Sequence, residues 1–346
     1  MRLCLALLIV VACCGGAQLD AQTSPLWSEQ KVKNFLPHMT WPEVRDLLTR
    51  TDMVLVPIPA LEQHGLHGPI GTDFYSGVEQ SKLIAQRTDI LVAPILFVGQ
   101  SPYHLEFPGS IALSADTLQR VYFEAIQSLI NQGFTRVILY ASHAGNQYLS
   151  SFIADRLNQE TRAVAVTLAD GVSAMREQPS GPSTSTQGVP FDRHGGVGET
   201  SGALYLFPTL VQMNKAERAT LTVPPALSAL PPLVATGDRA ASLVFLAEAL
   251  KPKNTGKGTS TGEMSTTGVW SERDPRDATA EQGRQATAAF VDAAVRFIDR
   301  WKELRPRWQS VLGPSVLAWA SGTVSVRRWR RSGGTRKSAG RSSPRC

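Results

Sequence analysis

Six histidines occur in the 346-residue chain, and five of them sit in polar or glycine-rich clusters beside apolar runs of strand length. The densest cluster reads Glu62-Gln63-His64-Gly65-Leu66-His67-Gly68 and continues to Gly71-Thr72-Asp73. A carboxylate, an imidazole and a second carboxylate within twelve residues are the ligand types that a Zn²⁺ or Mn²⁺ site uses. The glycines between them let the backbone turn tightly enough for all three to point inward. Ser142-His143-Ala144-Gly145-Asn146 puts another histidine at the carboxyl end of an apolar run. Arg193-His194-Gly195-Gly196-Val197-Gly198-Glu199 adds an imidazole and a carboxylate that falls in the first turn of a helix. Each has a plainer account: a polar loop, a hydrogen-bonded structural histidine, an acid that complements a helix dipole.

The elements around these clusters raise their weight. Thr40-Trp41-Pro42-Glu43 has capping-box spacing and opens a short helix through about Thr49. Apolar runs at Met53–Pro59, Ile90–Val98, Arg136–Tyr140 and Ala163–Leu168 read as strands. Helical spacing occupies Phe74–Arg87, a stretch capped by Ser114 and stopped by Gly133, and Gln147–Glu160. Nearly continuous apolar strands alternating with amphipathic helices imply a parallel sheet covered on both faces. The first and third runs end in the first two clusters, and the carboxyl edge of such a sheet is where ligands bind. Residues 176–193, rich in Ser, Pro, Thr, Gln and Gly, read as a mobile loop, and Leu221–Gly237 as irregular. A last helix is expected over Asp277–Leu304, ended by Pro306.

Four patterns in order resemble the creatininase family of amidohydrolases. They are Glu-Gln-His-Gly-x-His-x-Pro-x-Gly-Thr-Asp at 62–73, His-x-x-Phe-Pro-Gly-Ser at 104–110, Ser-His-Ala-Gly-Asn at 142–146 and His-Gly-Gly-x-x-Glu-Thr-Ser at 194–201. The likeness runs from about Trp41 to Leu304 and takes in Asp277-Ala278-Thr279-Ala280-Glu281-Gln282-Gly283. It implies a three-layer α/β/α sandwich with a mostly parallel central sheet, two divalent ions (zinc or manganese) per chain, and a homo-oligomer. By position, Glu62 would bind one metal, His64 the other, and Asp73 would bridge them, with His143 and Glu199 completing the set. His194 matches the histidine proposed to shuttle protons in the family. His67 reads as a hydrogen-bond partner behind the ligands, and His104 as a residue of the substrate pocket. Creatininase itself carries a glutamate where this chain has Gly145, and it uses tryptophans in the loop before His-Gly-Gly. Here that loop, 176–193, has none, which counts against creatinine as the main substrate.

Composition bounds the rest. The formal charge of +6 resides in the tail: residues 321–346 hold eight Arg and Lys and no acid, leaving 27 basic against 29 acidic groups elsewhere. Specific nucleic-acid binding is therefore not expected of the folded body. Residues 1–21 read as a signal peptide, with Arg2, the apolar stretch Leu3–Ala12 and small residues to Ala21. The run falls short of the roughly 20 residues of a transmembrane helix. Export to the periplasm or medium is expected, with a lipoprotein anchored at Cys13 as the alternative. The cysteines stand at 4, 13, 14 and 346, so neither a disulfide framework nor a thiolate site is expected in the domain over 25–306. Residues 307–346 read as an extension that is basic and expected to be disordered from about 321. The function expected is hydrolysis of a non-peptide C–N bond, in a cyclic amide or formamide, by a metal-activated water. The alternatives are a small-peptide metallopeptidase of the same family and an inactive metal-binding protein; a missing ligand would favour the latter, and all five are present.

Overall fold

The computed structural model describes residues 30–175, 192–235, 238–248 and 260–306. The expectations for the signal peptide, for most of the 176–193 loop and for the basic tail lie outside these residues. Contacts group Met1–Leu304 as one unit and Arg305–Cys346 as a second, of which only Arg305 and Pro306 are described.

Helix α1, Trp41–Arg50, starts at the capping box, where Thr40 N–H and Oγ1 lie 2.7 and 2.8 Å from Glu43 Oε2. Strand β1, Met53–Ile58, is buried along its whole length, as a strand covered on both faces must be. Helix α2, Thr72–Thr88, follows, and then β2, which is only Leu91–Val92. The expected strand over Ile90–Val98 is thus cut short. After Ala93 the chain leaves the sheet and runs over its end, where Leu113 N–H bonds Gly99 O at 3.0 Å. Helix α3, Ala115–Gln132, has Ser114 Oγ accepting from Thr117 N–H at 3.3 Å and stops at Gly133. Then come β3 (Arg136–Ala141), α4 (Gln147–Glu160), β4 (Val164–Thr167) and α5 (Leu168–Met175). The four strands form a parallel sheet in the order β2-β1-β3-β4.

Side chains alternate across the pleat. Val54, Val56, Ile58, Val137 and Leu139 pack on one face with Leu47 of α1, Tyr122 and Ile126 of α3, and Ile153 and Leu157 of α4. Met53, Leu55 and Ile138 pack on the other face with Val78 and Ile84 of α2 and Val172 of α5. Fully burying one such side chain stabilises by about 1.5–3 kcal/mol, so these layers fix the edge on which the site is built.

Beyond Met175 a two-stranded antiparallel sheet pairs β5 (Asp192–His194) with a strand far along the chain, so Asp192 and Arg193 belong to a strand and not to the expected loop. Helix α6 is Val197–Leu206. The stretch read as irregular contains α7, Leu230–Ala235; its Pro231 and Pro232 fall in the first turn, where the missing N–H costs nothing. Helix α8, Arg239–Glu248, and the single turn α9, Thr261–Met264, precede β6, Trp270–Ser271. The last helix, α10, covers Ala280–Leu304, three residues later than expected, because Pro275–Asp277 close a separate 3₁₀ turn. Val291, Ala294 and Ile298 of α10 join the second core. Gly283 is required for this packing, since a Cβ there would collide with Ser201 O of α6. The Asp277–Gly283 motif thus seats α10 against the helix that carries Glu199. No helix among the described residues is long and apolar enough to cross a membrane.

Candidate metal centre

The chain goes from β1 to β2 on one side and from β3 to β4 on the other, so the order reverses between β1 and β3. At the carboxyl ends of parallel strands such a reversal opens a crevice. The segment after β1 delivers Glu62 and His64 to it, and the one after β3 delivers His143. Asn146 locks the two together, its Nδ2 donating to Ile58 O at 3.1 Å and Pro59 O at 2.9 Å. Asp73 comes from the first turn of α2, Glu199 from the first turn of α6, and His194 from β5.

These side chains converge. Glu62 Oε1 lies 3.2 Å from His143 Nδ1 and 3.5 Å from both His104 Nε2 and His194 Nδ1. Asp73 reaches both sides, with Oδ2 3.2 Å from His143 Nδ1 and Oδ1 3.7 Å from His64 Nε2. Glu199 Oε2 stands 3.5 Å from His64 Nε2 and 3.9 Å from His194 Nδ1. Among the described residues, three groups hold their ligand-type atoms within 4.8 Å of one another: Glu62, Asp73 and His143; His64, His194 and Glu199; Glu62, His104 and His194. Glu199 is the member that meets solvent, its side chain 39% exposed against 1% for Glu62 and 2% for His64.

Backbone carbonyls fix which ring nitrogens face inward. A carbonyl only accepts, so His64 Nδ1–H donates to Glu62 O at 3.0 Å, leaving Nε2 aimed at Asp73 and Glu199, where a bound cation would take the place of a proton. His143 Nε2–H donates to Gln100 O at 3.1 Å, leaving Nδ1 facing Glu62 and Asp73. His194 Nε2–H donates to Gln63 O at 2.6 Å, leaving Nδ1 facing Glu62 and Glu199. Each of the three is an arrangement in which an imidazole can coordinate a cation while its far N–H is held.

Charge follows the same geometry. Burial opposes a charged His64, but the Asp73 and Glu199 carboxylates outweigh it and lift its pKa to about 9. His143 is likewise buried, and Glu62 and Asp73 hold it well above the usual imidazole range. Burial, reinforced by neighbouring imidazoles, pushes His104 and His194 well below that range. Asp73 is buried too, yet His143 and His64 hold it far below an ordinary carboxylate. Desolvation raises Glu199 to about 7, against the pull of His64. A knot of carboxylates and imidazoles that must share protons to neutralise itself is the charge pattern of a cation site.

Of the residues singled out in the sequence, Glu62, His64, Asp73, His104, His143, His194 and Glu199 are brought together. His67 stands behind them in none of the three groups, its Nε2 2.8 Å from Thr200 Oγ1. His38 is used locally, accepting from Val32 N–H at 3.0 Å. Trp270 is a core residue, 1% exposed, and Trp41 an exposed one. Sequence reasoning missed Tyr103, whose hydroxyl is 3.2 Å from His143 Nε2, and Gln63, whose amide contacts both His104 and His194. Gln63 lies inside the first motif and Tyr103 beside His104, so proximity was the signal to be had. Gly145 also gains a reason: a Cβ there would collide with His143 Nε2 and the Tyr103 hydroxyl. Tyr103 fills the space that a side chain at 145 would need.

A three-layer α/β/α fold with a histidine–carboxylate cluster at its switch point defines the class. The chain belongs to the creatininase family, whose model, described as creatinine amidohydrolase, matches residues 37–298. Curated relatives are hydrolases of several kinds. The mycofactocin precursor peptide peptidase of Mycobacterium tuberculosis is 29% identical over 72% of this chain and 85% of its own length. The creatinine amidohydrolase of Pseudomonas putida is 29% identical over 55% of this chain and 79% of its own. The 3-dehydro-scyllo-inosose hydrolase of Thermotoga maritima is 24% identical over 51% of this chain, and the match spans 58% of that relative. A creatininase variant solved in a Zn–Zn form superposes with a TM-score of 0.55 at 22% identity, covering 80% of this chain and 99% of that one. An Mn form of creatininase gives 0.52 at 23%, covering 80% and 100%. At such identities the likeness is one of fold.

Proposed function

We propose that this chain is a dinuclear metal-dependent amidohydrolase that adds water across a non-peptide C–N bond in a cyclic amide or formamide. The observation that carries this reading is the convergence of Glu62, His64, Asp73, His143 and Glu199, with one nitrogen of each imidazole held by a backbone carbonyl and the other turned inward. Glu62 Oε2, His64 Nε2 and Asp73 Oδ2 are buried with no hydrogen-bond partner. Leaving such groups unsatisfied costs about 1–3 kcal/mol each, and cations held between them would remove that cost. These five residues would hold two divalent ions, Zn²⁺ or Mn²⁺; Asp73, facing His64 with one oxygen and His143 with the other, would serve both. When bound, the ions supply Lewis acidity at neutral pH.

The chain's own residues do the rest. Glu199, at the solvent side, would orient the incoming substrate. His194, anchored at Nε2 by Gln63 O, presents Nδ1 to the cluster and would take up a proton there and give it to the leaving nitrogen. Its lone pair has ligand-type access to the cluster, so the proton-carrying assignment rests on the family likeness and is put to test in the Discussion.

Small-peptide hydrolysis is the second reading, favoured by the match to the mycofactocin peptidase, which covers more of both chains than the match to the creatinine amidohydrolase does. A panel of cyclic amides, formamides and short peptides, assayed with and without chelator, separates the two. Turnover of a cyclic amide or formamide that is lost with chelator and restored by zinc or manganese is expected. Hydrolysis confined to peptides would transfer the assignment to the second reading, and chelator-resistant turnover would contradict both.

Gly145 gives a sharper prediction. Gly145→Ala is expected to push the Tyr103 hydroxyl and His143 apart and to weaken metal binding by about 10–100-fold, the usual effect of disturbing what holds a ligand. Competition with a fluorescent zinc chelator measures it. Unchanged affinity would mean that the Nε2 side of His143 does not govern the site.

A further inference from the structure

Gln63 sorts the histidines. Its Oε1 accepts from Gly65 N–H at 2.8 Å and its Nε2 donates to Gly268 O at 2.8 Å, so two backbone partners fix which end of the amide is which. One N–H of that Nε2 remains, with His194 Nε2 at 3.0 Å and His104 Nδ1 at 3.2 Å in reach. His194 Nε2 carries a proton of its own, spent on Gln63 O, and cannot accept. The remaining N–H therefore goes to His104 Nδ1. Thr261 Oγ1 has one proton to give, and with the same nitrogen at 2.7 Å and Tyr103 O at 3.2 Å it goes to the nearer, so Nδ1 accepts from Thr261 as well. A neutral ring that accepts at Nδ1 carries its proton at Nε2, and His104 Nε2 is the atom directed at Glu62 Oε1, 3.5 Å away.

We infer that His104 is a positioning residue and not a metal ligand: it turns an N–H to the Glu62 carboxylate, whereas His64, His143 and His194 hold their far N–H on backbone carbonyls and leave the inward nitrogen to an ion. This rests on the metal-site reading above and refines it. Of the three groups able to hold an ion, the one made of Glu62, His104 and His194 is thereby excluded, although its distances match the others. Distance alone cannot tell a ligand from a donor; the Gln63 amide does. The His104 N–H occupies Glu62 Oε1 from one side and so holds the carboxylate with its unpartnered Oε2 free. The rings of His104 and His194 stack with centroids 4.2 Å apart, so the same contact fixes the plane of His194.

Nitrogen-15 NMR of the full chain labelled in histidine reads each tautomer directly, with His104 assigned by its disappearance in His104→Gln. The expected pattern is a protonated Nε2 and a lone-pair Nδ1 for His104, unchanged on adding zinc to the ion-free protein. The inward nitrogens, His64 Nε2 and His143 Nδ1, should shift on that addition as zinc displaces their protons. His104→Ala is expected to keep the full number of ions at saturating zinc while affinity falls about 10–100-fold, and His104→Gln, with an amide N–H of similar reach, to restore affinity. A proton at His104 Nδ1, a shift of its Nε2 on zinc addition, or the loss of an ion in His104→Ala would each overturn the inference. If zinc shifts no histidine at all, the metal-site reading fails, while the His104 tautomer is still read from the ion-free protein.

Discussion

Asp73→Ala protein is expected to hold neither ion, and its hydrolytic activity to fall to background. Asp73 stands between His64 and His143, one carboxylate oxygen toward each. On the proposed assignment, removing Glu199 would take a donor from one ion, whereas removing Asp73 would take one from both. The variant also removes the carboxylate that most raises His64 and that, after Glu62, raises His143. Asp73→Asn keeps the shape and loses the charge, and should bind weakly where Asp73→Ala does not bind. Elemental analysis after zinc reconstitution, with circular dichroism to verify folding, measures this. A folded Asp73→Ala protein with its full complement of metal would remove Asp73 from the site.

His194→Ala is expected to keep its metal and its fold and to lose turnover by roughly 10²–10⁴-fold, with much less change in substrate affinity, as befits the loss of a general acid–base group. His143→Ala is the control: it removes an inward lone pair held by Gln100 O, so metal and activity should fall together. The comparison needs a substrate found in the panel and metal analysis of both variants. Loss of metal from His194→Ala in parallel with His143→Ala would reassign His194 as a ligand, which its Nδ1 position among the carboxylates permits. Full activity with full metal would mean that the proton comes from elsewhere.

Much of the fold was legible where local signals were strong. The Ser114 cap and Gly133 stop bound α3, and the bounds of α4 follow its periodicity. Sequence reasoning failed where long-range structure decides. Ala93–Val98 is apolar enough for a strand, but β2 is an edge strand and its chain turns across the sheet end, leaving Phe97 58% exposed against Phe74. Pairing of Asp192–His194 with Trp270–Ser271 has no local signature, because the partner lies far along the chain. Within the stretch read as irregular, Pro231 and Pro232 sit where the first turn of α7 tolerates them. In the site, the titratable residues were visible by type and spacing. The groups that orient them were not: Glu62 O, Gln63 O and Gln100 O are backbone carbonyls, which every residue has. Tyr103 and Gln63 announced nothing until the fold set them against His143, His104 and His194.

The central claim is that five side chains from four separate segments form one dinuclear metal site. Elemental analysis of the purified folded protein, stripped with chelator and reconstituted with zinc or manganese, tests it most directly. The account predicts about two ions per chain, as a two-metal hydrolytic site requires. Trace metal only, in protein that is folded and reconstituted with either ion, would contradict it.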